Sequence, residues 1–233
     1  MTDAPLILAC DTTQGACSAA LFQDRLLAHR LLAMRQGHAE ALLPMLADIM
    51  EEAGFAMPQI DRLAVTHGPG TFTGVRVGIS AMRGLALALD RPVKTYGTLE
   101  VMARGASSDG PLIVAVDARR ETFYAQAFAA DKSPLGPPQA LTASGVSALI
   151  EPQAATGSVG IIGSGAAFLA ETEPRLQPLA AAAYPQAAHL AEMAAQDAGQ
   201  KGAWADLPPA EPLYLRPPDA TLPDRAKYPA RQN

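Results

Sequence analysis

Two aspartates, a glycine-proline-glycine turn and a pair of arginines are the residues of this chain whose types and spacing could do chemistry. Gly68-Pro69-Gly70, followed by Thr71, Thr73 and Gly74, runs into a long apolar stretch ending at Leu89. A glycine-rich turn ahead of a helix suits anion binding, because the first backbone N–H groups of a helix lack partners. The phosphate-loop pattern then requires Lys-Ser or Lys-Thr after its last glycine, and Val75-Arg76 stands there instead. The turn therefore reads as structural, with Thr73 or Thr71 capping the helix and the glycines permitting a sharp change of direction. Asp11, Thr12 and Thr13, with Asp117 and the turn Gly163-Ser164-Gly165, stand where expected strands end and turn. Ordinary turn chemistry accounts for residues of these types at such places.

Other reactive side chains are dispersed. The histidines at 29, 38, 67 and 189 show no ligand spacing, and Glu100 with Asp11 lacks a third organised ligand, so no metal site is expected. Cys10 and Cys17 have neither CxxC spacing nor a secretory context and are expected as buried free thiols.

Periodicity supplies the elements that must position these residues. Strands are expected at about 6–10, 16–22, 26–32, 63–66 and 93–96, with helices at 37–53, from the glycine turn to 89, and at 99–104. Further on, strands are expected at 135–141 and 159–162, and helices at 146–151 and 186–199. Helix 37–53 carries the apolar stripe Leu42, Met45, Leu46 and Ile49, with Pro44 inside it. On the glycine-led helix, Gly74, Gly78, Ala81, Leu85 and Ala88 share a mostly small face open to close approach by another helix. Val75, Ile79 and Met82 suit packing on a sheet, while Arg76 and Arg83 share one edge and either frame an interface or stand in solvent.

The whole chain has 233 residues, is 49% hydrophobic and carries a formal charge of −5. That allows a sizeable core in one large or two small domains. Mild acidity argues against a protein that grips nucleic acid unaided, so any RNA contact is expected only through a partner. With no apolar run reaching the 18 or so residues of a spanning helix and no basic leader, no membrane association is expected and the cytoplasm is the default. Seven prolines between residues 205 and 233 imply an extended tail, with Pro212-Leu-Tyr-Leu-Arg216 as its one apolar island.

A shift of 106 residues lays residues 5–22 over 111–128 with seven of eighteen positions identical, among them Asp11 with Asp117. Three meandering strands followed by αβ units, begun twice, resemble the α/β plan of the actin, Hsp70 and sugar-kinase superfamily. That plan has two ribonuclease-H-like half-domains, here with the second half reduced. In that superfamily the paired aspartate turns handle ATP phosphates across a cleft. The resemblance therefore makes Asp11, Thr12, Thr13, Asp117, Gly163 and Gly165 candidates for the remains of a nucleotide cleft, with turn chemistry as the competing reading. The expected division is 1–106, 107–204 and the tail 205–233.

Asp11–Thr13 with Cys17-Ser18, GHAEALLPML at 37–46, HGPGTFTGVRVGISAMRGLALAL at 67–89, DARR at 117–120 and PLYLR at 212–216 carry a narrower resemblance, to the TsaB (YeaZ-like) family. The resemblance implies a non-catalytic subunit for forming N6-threonylcarbamoyladenosine at position 37 of tRNAs that read codons beginning with adenine. Its implied partners are a TsaD-like transferase and a TsaE-like ATPase, with a homodimer when the transferase is absent. It also implies that Leu42, Met45, Leu46, Ile49, Gly74, Val75, Arg76, Gly78, Ile79, Met82 and Arg83 form the partner interface. The chain itself would require no cofactor, and ATP or ADP would sit at the boundary of the complex. The histidine pair that ligates metal in TsaD-like relatives has no counterpart in Thr95–Val101. A stand-alone ATP-dependent small-molecule kinase or ATPase of the actin-like superfamily is the alternative.

Overall fold

The computed structural model describes residues 4–150, 157–181 and 183–217. Strands β1 (Ile7–Asp11), β2 (Ala16–Phe22) and β3 (Leu26–Ala33) form an antiparallel meander. Two further strands, β4 (Arg62–Thr66) and β5 (Val93–Tyr96), join in parallel beyond β1 to give the order β3-β2-β1-β4-β5. Parallel neighbours need long crossovers, and helices α1 (His38–Glu52) and α2 (Phe72–Leu89) supply them. Leu42, Met45, Leu46 and Ile49 of α1, with Val75, Ile79 and Met82 of α2, pack with Leu8, Cys10, Cys17 and Leu21 on one face of this sheet. Pro44 lies inside α1 without ending it.

Helix α3 (Thr98–Arg104) leads to a second sheet of β6 (Leu112–Asp117), β7 (Phe123–Phe128), β8 (Gln139–Leu141), β9 (Val159–Ile162) and β10 (Leu176–Pro178). Its order, β10-β9-β6-β7-β8, repeats the first sheet strand for strand, with β6/β7 and β7/β8 antiparallel and β6/β9 and β9/β10 parallel. Short helices α4 (Ala143–Ala148) and α5 (Ala166–Thr172) stand where α1 and α2 stand in the first half. The expected α/β plan of two halves, the second reduced, is the fold observed.

Helix α6 (Ala187–Ala198) departs from the expected division of the chain. Assigned by sequence to residues 107–204, it packs on the first sheet, where Ala187, Leu190, Ala191 and Ala194 meet Ile7, Ala9 and Ala64. Leu99, Met102 and Ala103 of α3 cover the inner face of the second sheet with Leu112, Val114 and Phe128. The order of layers is α1/α2, first sheet, α6/α3, second sheet, α4/α5. Every residue of β1 is buried because helices cover both of its faces.

Other differences have local causes. The strand expected over 135–141 shrinks to Gln139–Leu141 because Gly136, Pro137 and Pro138 interrupt the ladder. Helix α4 starts earlier than expected because Thr142 caps it, its hydroxyl accepting from the Gly145 amide at 3.4 Å. Helix α5 and strand β10 had no expectation behind them. Glu151 and the tail beyond Pro217 lie outside the described residues.

By length and composition α2 would pass for a membrane-spanning helix, with a mean hydropathy of 1.3 over 18 residues. That differs from the expectation because its two arginines are diluted by alanine, leucine and valine. Here one side of it lies on the sheet.

Candidate functional site

The turn after β1 builds the entrance of α2. Asp11 is wholly enclosed and accepts hydrogen bonds from the Thr13 hydroxyl at 2.7 Å, the Thr13 amide at 3.3 Å and the Thr66 hydroxyl. Burial raises its carboxyl to about 6, against the pull of those three donors. The Thr12 hydroxyl donates to the Gly74 carbonyl at 2.6 Å, and the Thr71 amide donates to the Thr13 carbonyl at 2.8 Å. The helix cap is Thr71, whose hydroxyl accepts from the Gly74 amide at 3.2 Å. Gly74 and Gly78 are required here: a Cβ on Gly74 would collide with the Thr12 carbonyl, and one on Gly78 would lie 2.7 Å from the Thr12 hydroxyl. This corrects the sequence reading, in which both glycines faced a neighbouring helix. They face the chain's own β1 turn.

Asp11 and Asp117 are not in equivalent places. Asp11 stands opposite Ser18, whereas Asp117 stands opposite Phe123 and not the Tyr124 that a uniform 106-residue shift would give. A one-residue slip in pairing turns a strand's side chains to the other face. Asp11 accordingly shares the face of Ile7 and Ala9 under α6, while Asp117 shares that of Ile113 and Ala115 under α4 and α5. The tighter second hairpin holds Arg119, Arg120 and Glu121 at positive φ of 65°, 53° and 57°. Asp117 is exposed, accepts from the Arg119 amide at 2.7 Å, and lines a cleft of about 270 Å³ with Gln14, Thr71, Phe72, Tyr124 and Tyr214. Gly163, at φ 102°, and Gly165 pack against the Ala115 carbonyl and the Phe123 ring. The six cleft candidates are thus divided: Asp117 borders the opening, and the others serve the packing of the chain.

The candidate interface is divided too. Leu42, Met45, Leu46, Ile49, Val75, Ile79 and Met82 are buried within this chain, as are Gly74 and Gly78, because the sheet consumes the apolar stripes. Arg76 and Arg83 are exposed. The surface that stays open is the adjoining strip: a groove of about 570 Å³ between α1 and α2, lined by Ala39, Leu43, Phe72, Val77, Ser80 and Ala81 with the edge of Leu42. Leu43 is 55% exposed and Leu87, farther along α2, is 87% exposed. No three His, Cys, Asp or Glu side chains gather as a metal-holding group among the described residues.

The tail contributes residues to this site that spacing alone could not place. The Leu213 amide donates to the His67 carbonyl at 2.8 Å, and Arg216 donates to the Ala118 carbonyl at 3.0 Å, so Glu211–Pro217 straps the first half to the second. The Tyr214 ring stacks on Phe72 with centroids 5.1 Å apart, and its hydroxyl accepts from Arg76 Nε at 2.8 Å. Tyr214 and Arg76 are 138 positions apart. The only sequence signal was the apolar island in a proline-rich segment.

Residues 27–201 match the family model described as TsaD, tRNA N6-adenosine threonylcarbamoyltransferase. The chain is similar to the Escherichia coli tRNA threonylcarbamoyladenosine biosynthesis protein TsaB, 40% identical over 131 residues, 54% of this chain and 56% of that one. It spans about half the length of the curated relatives of that name that it matches first. A crystal structure of a Pseudomonas aeruginosa protein, described as uncharacterized with similarity to peptidase YeaZ, superposes with a TM-score of 0.79 at 31% identity, covering 91% of this chain and all of that one. The ROK hexokinase of Thermus thermophilus shares the fold at a TM-score of 0.51 and 14% identity over 81% of this chain and 97% of that one. With the duplicated topology, the motifs in β1, α1, α2 and the strap, and these likenesses together, the chain belongs to the TsaB (YeaZ-like) family, within the wider group that the TsaD model describes.

Proposed function

We propose that this chain is a non-catalytic subunit in the formation of N6-threonylcarbamoyladenosine at position 37 of tRNAs reading codons that begin with adenine. In this reading the strip between α1 and α2 docks on a TsaD-like transferase and holds it in its working shape, and a TsaE-like ATPase joins the assembly. When the transferase is absent, a second copy of this chain takes its place. Partners hold the tRNA, and the cytoplasm is the compartment.

The observation that carries the proposal is the groove itself. It is an apolar-floored channel on two helices whose opposite sides are already spent on the sheet. Two features support a role without catalysis. Both Asp11 oxygens are committed to internal hydrogen bonds, and the cleft, at about 270 Å³, is narrow and bordered by the chain's own Tyr214 and Arg216. Pockets that hold small-molecule ligands span about 300–1,000 Å³, and this cleft falls just below that range. ATP or ADP then belongs to the boundary between subunits.

Size-exclusion chromatography of the chain alone and with the transferase tests the proposal. Co-elution is expected for the wild type and its loss for Leu43→Glu, which places a charge on an exposed wall of the groove without touching the core. Undiminished co-elution of Leu43→Glu would sink the docking reading. ATP turnover by the purified chain that disappears in Asp11→Asn would instead favour the stand-alone kinase or ATPase.

A further inference from the structure

We infer that Arg76 is a preformed carboxylate receptor at the mouth of the α1–α2 groove, aimed by the C-terminal strap. The helix that docks there carries two acidic side chains about seven residues apart beside an apolar stripe.

Three contacts fix the guanidinium. Its carbon lies 3.7 Å from the Phe72 ring centroid and 5.8 Å from that of Tyr214, and its Nε donates to the Tyr214 hydroxyl at 2.8 Å. An arginine in solution samples many rotamers, and stacking with a hydrogen bond to Nε removes much of that freedom before a partner arrives. The Nη1 and Nη2 groups meet no partner among the described residues, and together they form the planar fork that matches a carboxylate. Arg76 borders the groove beside Phe72 and Val77, so an acid bound by it lies next to an apolar side chain in the channel.

Charge selects the occupant. Arg83 lies on the same edge two turns farther on and also meets no carboxylate among the described residues. Seven residues of helix rise about 10.5 Å. On the exposed side of α1, Asp48 and Glu52 are taken by Arg30 at 2.6 Å and 3.2 Å, which leaves Glu40 and Glu51. Those two stand eleven residues apart, a rise of about 16.5 Å, so a second copy of this chain mismatches the arginines by about 6 Å. The better match is a helix of a different protein with acids one heptad apart.

The inference rests on the docking proposed above, and calorimetric titration of the full chain with the purified TsaD-like transferase separates the two. Leu43→Glu is expected to abolish binding. Arg76→Gln is expected to weaken it about tenfold or more and to flatten its dependence on salt, since one charge-assisted bidentate contact is lost. Tyr214→Leu is expected to weaken it several-fold with Arg76 still present, because the fork loses its aim. Arg76→Glu is expected to regain binding with a transferase bearing an acid-to-arginine change on its docking helix. Binding by Arg76→Gln within twofold of wild type and with the same salt dependence, while Leu43→Glu fails to bind, would overturn the receptor and leave the docking face standing. Wild-type affinity for Leu43→Glu would remove both. An Arg76→Gln change that dissolves a homodimer but leaves transferase affinity unchanged would make the occupant a second copy and overturn the inference.

Discussion

Asp11 shows how one residue's surroundings decide its chemistry. Its pKa is raised from 3.8 to about 6 by burial, so between those values the folded state holds a proton that the unfolded state has released. The corresponding stability is fully present below about pH 4 and declines by about 3 kcal/mol as the pH rises to about 6. Chemical denaturation of wild type and Asp11→Asn across that window is expected to show the decline in the wild type only. The glycines of α2 make a second contrast. Gly74→Ala drives a methyl into the Thr12 carbonyl and is expected to cost about 3 kcal/mol or more, whereas Gly84 has open space around its Cα. Gly84→Ala is expected to add about 0.5–1 kcal/mol, and paired denaturation curves give the difference. The sequence marks these positions as small but cannot say which neighbour needs them small. A backbone turn of the same chain and a helix of another impose the same requirement, and only the closed fold distinguishes them.

At the scale of elements, periodicity located the helices and strands of the first half because each apolar stripe or alternation continues over several turns or pleats. It failed on α5 and β10, which are only seven and three residues long. It also could not tell which sheet α6 would cover, since alanine-rich faces fit either. The first sheet holds α6 through Ser18, whose hydroxyl accepts from the Ala187 amide at 2.9 Å, and Gln186 at the cap provides no side-chain bond of its own. The two partners are 169 positions apart and both are buried. Ser18→Ala would strand a buried N–H and is expected to cost about 1–3 kcal/mol in urea unfolding. A change within about 0.3 kcal/mol would mean that Ser18 does not cap α6. The strap had a comparable history: prolines announced an extended segment, while the target of Tyr214 depended on a tertiary contact with no local pattern.

For the molecule as a whole, the repeat at 106 residues announced a duplicated fold, and the sheets carry the same strand order and directions. The one-residue slip in the second hairpin was invisible in the ungapped overlay, because sequence identity survives a change of strand pairing that reverses faces. That slip separates Asp11 from Asp117, and the strap borders the opening beside Asp117, so the docking proposed for the α1–α2 strip does not depend on a facing pair of aspartates. Reconstituted threonylcarbamoyladenosine formation on tRNA, with the transferase and ATPase partners and either Asp11→Asn or Leu43→Glu in place of the wild-type chain, tests this account most directly. The account predicts product with Asp11→Asn and little or none with Leu43→Glu. Full product with Leu43→Glu and none with folded Asp11→Asn would contradict it.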